Sequence, residues 1–271
     1  MTMPSDIENQ QLLHDRMQQL FKTSFSAMDI AEPLLLFDAD TQASEVRGLL
    51  EIKSIEISGI LDCGQVTGYV IREELQDGCC LDHHHSFERE AIIPQFAPYQ
   101  EVIEALDKAG HCFVTFLGKV AAVIRKTDIA KPSVRMWLFG LITIAEMNMS
   151  NLVEQRFPNS TWQEQLSEER LGKAKALLGE RQRHGQKLRL ADCLYFSDKA
   201  SILAKDASIR ADLGFASRKE AKSAVSKLES LRNSLAHAHD IVTYDWDAIV
   251  QMSRRLDRML GRLGNEVPEV H

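Results

Sequence analysis

One order of patterns occurs twice in the first half of the chain, and it limits the fold more than any other feature. "AEPLLLFD" from Ala31 is an apolar extended run, "TQASEVRGLLEIK" has helical spacing, and "SIEISGILDCGQVTGYVI" is two β-rich runs broken at Cys63 and Gly64. About sixty residues later the order returns. "AIIPQFAP" is extended, "YQEVIEALDKAG" is helical and closed by Gly110, and "CFVTFLGKVAAVI" reads as a hairpin with Gly118 at its turn. A repeated small αβ unit implies two half-domains packed together, because neither buries its sheet alone. The stretch between them, "QDGCCLDHHHSFERE", is polar and aperiodic and reads as a linker. Residues 1–28 read as an amphipathic lead-in helix, and 29–149 as the duplicated domain.

From Lys131 onward β patterns stop. Pro132 suits a first helical turn, "SVRMWLFGLITIAEMNMSNLVEQRF" has helix length, and Asn159 to Thr161 offer N-cap chemistry for the next helix. Further helical patterns run to about residue 265, so 150–265 is expected to be an all-α bundle of four or five helices. The fold class is therefore α+β: tandem β-α-β-β-α repeats followed by a helical bundle.

Composition narrows the function classes. With 44% hydrophobic and 26% charged residues, the 271-residue chain has the make-up of a folded globular protein. The longest apolar run, Trp137 to Ala145, is shorter than the roughly 20 residues of a membrane span, and the polar N-terminus does not read as a signal peptide. A cytoplasmic protein without membrane partners is the expectation. Five cysteines without paired metal-site spacing are read as reduced thiols, and "CCLDHHH" in the linker is not read as a metal site, because adjacent side chains rarely converge on one tetrahedral ion. Up to Lys131 there are 11 Lys+Arg against 21 Asp+Glu, and from Pro132 onward 21 against 18. The acidic front half argues against a polyanion partner there, while the basic excess behind leaves room for one. Arg170 to Arg189 is the densest basic segment, read first as a solvated helix face.

The two αβ units resemble the CBS (cystathionine β-synthase) domain pair, whose hallmark is a strand ending in Gly-hydrophobic-hydrophobic-Thr-x-x-Asp. The second unit reads "AVIRKTDI", with Asp128 at the Asp, Arg125 at the Thr and Ala122 at the Gly; the first keeps Gly68 and places Ile71 and Glu74 at the Thr and Asp positions. The resemblance spans about Asp29 to Met149. It implies an adenine nucleotide (AMP, ADP or ATP) as a regulatory ligand in the cleft between units. Asp128 would accept from ribose hydroxyls and Arg125 would reach phosphate. Glu74 and Gly118 complete the candidate ligand-binding set. The alternative is a pair that mainly dimerises.

The stretch "LESLRNSLAHAHD" places polar residues on a helix whose apolar stripe is Ala221, Ala224, Val225, Leu228, Leu231 and Leu235. Arg232 borders that stripe. His239 returns to nearly the same face, whereas His237 points away on a regular helix. An arginine beside a histidine suits attack by a ribose 2′-hydroxyl on its own phosphodiester: the imidazole moves the proton and the guanidinium holds the phosphate as charge builds, with no metal. The segment resembles the HEPN family of helical bundles found in bacterial defence and toxin systems, whose signature is Arg, a polar residue and a His after four to six intervening positions. Arg232, Asn233 and His237 meet it, and His239 meets it again. The resemblance implies metal-independent RNA cleavage at a homodimer interface that brings two such helices together, with no cofactor required and a neutralising or effector protein as a further partner. The competing expectation is a non-catalytic dimeric scaffold in which both domains mediate ligand and protein binding.

Overall fold

The computed structural model describes residues 23–212, 214–236 and 246–263, together with Arg16, Gln19 and Phe21. Two compact units divide the chain. Residues 23–134 form one; the described residues from Arg135 onward, with those before Thr23, belong to the other. The boundary falls inside a long helix, ahead of the Met149 position expected from the sequence.

The first unit contains the duplication, and it extends to fine detail. The first copy runs β2 (Leu36–Asp38), α1 (Ala43–Ile52), β3 (Ile57–Asp62) and β4 (Gln65–Ile71). The second runs β6 (Ile92–Pro94), α2 (Tyr99–Ala109), β7 (His111–Phe116) and β8 (Lys119–Arg125). In each, the first strand pairs parallel to the second across the helical crossover, and the second and third form an antiparallel hairpin. Both hairpins carry a register shift near the turn, at Ile60/Leu61 and Val114/Thr115. Both turn through two residues with positive φ, Cys63-Gly64 at 47° and 78°, and Leu117-Gly118 at 50° and 78°. That geometry matches the strand twist and explains a glycine at each second position.

Each sheet is completed by the other copy's lead-in. β1 (Glu32–Pro33), just ahead of the first copy, pairs antiparallel with β8 of the second, opposite Val123 and Ala122. β5 (His85–Ser86), just ahead of the second copy, pairs with β4 of the first. The sheet orders are β2-β3-β4-β5 and β1-β8-β7-β6. The stretch expected to be a linker is therefore structural: it supplies β5 and the fully buried Cys80, which packs with Ala43, Val46 and Leu50 of α1. Its aperiodic sequence hides a two-residue strand too short to produce alternation. Gly68 makes β5 possible, since a side chain there would collide with the His84 ring and the His85 carbonyl. A second apolar cluster, Leu34, Ile57, Tyr69, Ala91, Phe113 and Val123, takes residues from both sheets. Fusing the two sheets this way removes from water the apolar faces that neither copy covers alone.

The second unit is helical: α3 (Pro132–Arg156, which begins in the first unit), α4 (Glu168–Arg183), α5 (Phe196–Leu203), α6 (Ala207–Asp212), α7 (Arg218–Ala236) and α8 (Trp246–Leu263). Helix α3 is long and apolar enough to cross a membrane by length and composition, and 67% of its most apolar window is buried. Asn159 and Ser160 do not cap α4; they have positive φ in a 3-10 segment, and the cap is Ser167, whose Oγ accepts from the Arg170 N–H at 3.4 Å. Asp206 opens α6 in the same way, accepting from the N–H groups of Ser208 and Ile209.

Candidate functional site

The turns that carry Glu74 and Asp128 occupy equivalent places in the two copies. Glu74 lies in the 3-10 turn Arg72–Glu74 that follows β4, and Asp128 in the turn Lys126–Ala130 that follows β8. Asp128 is buried, at 4% exposure, and its carboxylate turns back on its own chain. Oδ2 accepts from the Arg125 N–H at 2.8 Å, and Oδ1 lies 3.1 Å from the Lys131 Nζ. Lys131 also donates to the Ile30 carbonyl at 2.6 Å and pairs with Glu32, whose carboxyl it holds below the usual carboxylate range. The guanidinium of Arg125 comes within 3.5 Å of Asp128 but makes no hydrogen bond through its buried Nε among the described residues. Asp128 is thus a cap of its turn and, through Lys131, an anchor for the segment just ahead of β1.

Glu74 differs by one methylene. It is half exposed and reaches to the neighbouring strand, its Oε2 lying 2.5 Å from Nε2 of His85 on β5. His85 stacks on Tyr69, with ring centres 5.2 Å apart. Tyr69 also meets His111 edge-on at 5.1 Å and Phe113 at 4.7 Å, and Phe87 packs on both Tyr69 and Phe113. This aromatic and imidazole seam joins the two copies. Burial pulls the His111 imidazole below its ordinary value and pushes the Tyr69 phenol up. The sequence pattern does not reveal the seam because its parts lie in different copies; the only local signal is "HSF" in the stretch that reads as a linker. Gly118 is far from this site. It sits at the hairpin tip before β8, whereas Arg125 and Asp128 follow its other end, roughly 20 Å away at strand rise.

The stripe on α7 is buried at all six expected positions. Arg232 lies at its edge, with a side chain 36% exposed, and its Nη1 is 3.4 Å from Oε2 of Glu146 on α3. Glu146 also lies 3.3 Å from Nζ of Lys199 on α5, a buried ammonium for which this carboxylate is the counter-charge. Asn233 is exposed. The last turn of α7 is held by Arg135, whose Nη2 donates to the carbonyls of Ser234 and Leu235 at 3.1 Å each. His237 and His239 lie outside the described residues.

No family model matches the sequence, and no curated protein matches it. Solved structures do. The ATP-bound CBS domain of a bacterial CNNM/CorC-family Mg2+ transporter is similar over 44% of this chain and 94% of its own, at 10% identity and a TM-score of 0.35. CBSX2 of Arabidopsis thaliana is similar over 41% and 96%, at 12% identity and a TM-score of 0.37. An uncharacterized conserved protein from Pyrococcus horikoshii is similar over 40% and 90%, at 15% identity and a TM-score of 0.36.

Proposed function

We propose that this chain is a two-part regulator, in which a CBS-type pair senses an adenine nucleotide and controls a helical unit that binds and cleaves RNA without metal. The observation that carries the reading is the end of α7. There Arg232 keeps a solvent-facing edge while Glu146 fixes its position, and Asn233 is exposed beside it. A held guanidinium is preorganised for a phosphate, since little rotamer freedom is left to lose on binding. In the mechanism, Arg232 holds the non-bridging oxygens, and a histidine of the following segment, His237 or His239, takes the 2′-hydroxyl proton as that oxygen attacks phosphorus. The P–O5′ bond breaks, the 5′-oxygen takes a proton from water or from the second histidine and leaves as a hydroxyl, and a 2′,3′-cyclic phosphate remains. A homodimer would supply two of each group, and a neutralising protein is a further partner of this reading.

At the nucleotide site, Asp128 is occupied in capping its turn, so Glu74 is the acid placed to meet a ribose. The geometry of Arg232 also favours a second reading. Its ion pair with Glu146 cross-links α7 to α3, as a scaffold protein would need. One experiment separates the two: RNA cleavage in EDTA by wild type, Arg232→Ala and His237→Ala, with and without AMP or ATP, and analysis of product ends. Cyclic-phosphate products lost in both variants support the nuclease. No cleavage by wild type under any of these conditions leaves the scaffold.

A further inference from the structure

A groove of about 430 Å3 lies within the helical unit, between α4, α5 and the first three turns of α7. Its rim carries four cations, Arg170, Lys205, Arg218 and Lys222, against one carboxylate, Glu229, and its floor is Ala200, Ala204 and Val225. Arg170 is neutralised by the buried Asp198. Among the described residues, Lys205 and Arg218 make only long hydrogen bonds to carbonyls, of Gln165 at 3.3 Å and of Lys205 at 3.4 Å respectively. Lys222 is exposed, and its ammonium has no partner among the described residues. Among the described residues, three cations therefore line the groove without a matched acid, and Glu229 is itself held by the Ser197 N–H at 3.0 Å.

The position of two of these cations is the second observation. Arg218 opens α7 and Lys222 follows one turn later, beside an N-terminus whose cap is already made by Ser217 Oγ accepting from the Glu220 N–H and Glu220 Oε2 accepting from the Ala216 N–H. An anion in the groove would meet the two side chains directly, one helical turn apart on the same wall. The hydroxyls of Ser201 and Ser226 on the walls add neutral donors for phosphate oxygens. Among the described residues no aromatic side chain lines the groove, so its lining favours the backbone over stacked bases. On the helical wheel Lys222, Ser226 and Glu229 share a face with Asn233, about 16 Å further along the axis from Lys222 at helix rise.

We infer that this groove binds the phosphodiester backbone of a single RNA strand and leads it along α7 toward Arg232 and Asn233. The inference rests on the proposed reading only for the polymer being RNA. The test is fluorescence anisotropy with the full chain in EDTA and a labelled 2′-O-methyl uridylate dodecamer, which cannot be cleaved through its 2′-oxygen. The double variant Arg218→Ala/Lys222→Ala is expected to bind roughly tenfold more weakly or worse. The slope of log affinity against log salt is expected to fall by about 1.4, near 0.7 for each phosphate no longer neutralised. Arg218→Lys/Lys222→Arg, which keeps both charges, is expected to retain binding. Groove-dependent binding without cleavage of unmodified RNA would support the groove and sink the nuclease reading. Equal binding by wild type and the alanine double variant, or no binding by wild type, would overturn the groove whatever the cleavage assay shows. Displacement by polyglutamate as effective as by unlabelled oligonucleotide would overturn phosphate recognition in favour of an acidic peptide.

Discussion

The two copies of the αβ repeat agree in backbone and diverge in the use of one carboxylate. Strand pairing, hairpin register and turn dihedrals coincide, yet Asp128 curls back onto the Arg125 N–H while Glu74 reaches out to His85. The lysine that anchors Asp128 has no counterpart in the first copy. A duplicated fold thus presents one turn whose acid is consumed by structure and one whose acid is accessible. The lesson is that matching a motif letter locates a turn without saying whether its side chain is available, since availability depends on acceptor sites already filled.

The largest expected effect tests whether the copies behave alike in their cores. Leu50 on α1 and Leu106 on α2 are fully buried at equivalent positions. Leu50→Ala and Leu106→Ala are each expected to cost about 3 kcal/mol in urea unfolding. Because the strands are exchanged, each variant should lower the stability of residues from both copies in a single transition; separate transitions would show that the copies unfold independently. A smaller effect sharpens the contrast between the turns. Asp128→Ala leaves Lys131 and the Arg125 N–H without their acceptor and is expected to cost about 2 kcal/mol. Glu74→Ala removes an exposed pair and should stay within about 0.5 kcal/mol, while weakening any nucleotide binding seen by calorimetry. Equal losses would erase the distinction.

A pH-dependent effect, smaller than the core and Asp128 losses, belongs to the seam. The folded His111 has its pKa lowered, so near and below the ordinary histidine value the unfolded chain binds more protons than the folded one. Stability should therefore fall as pH drops through the window from the unfolded value to the lowered folded one. His111→Gln should flatten that dependence by no more than about 1.4 kcal/mol per pH unit. His85 and Glu88 act on the same ring in opposite directions, so the variant isolates only the His111 share.

Much of the architecture is legible in the sequence because its signals are periodic. The repeat, the glycine turns, Gly110 closing α2 and the six-residue stripe of α7 all follow from local spacing. The rest depends on partners distant in sequence. Nothing around Asp128 announces Lys131 bonding to the Ile30 carbonyl, and nothing around Arg232 announces Glu146, 86 positions away. The exchange of β1 and β5 is equally hidden, since a two-residue strand carries no alternation. The basic groove escapes a linear reading for a related reason: its cations come from separate parts of the helical unit, and the densest basic segment in the sequence contributes only Arg170 to it.

The exchanged lead-in strands make each copy depend on the other. A solitary copy carries a fourth strand that does not close its own sheet, so it would present an open edge and a free strand at once. Two such chains satisfy each other reciprocally, each lending the strand the other lacks. The duplicated unit is that reciprocal arrangement made within one polypeptide, so neither copy can be withdrawn without unpairing a strand of the other.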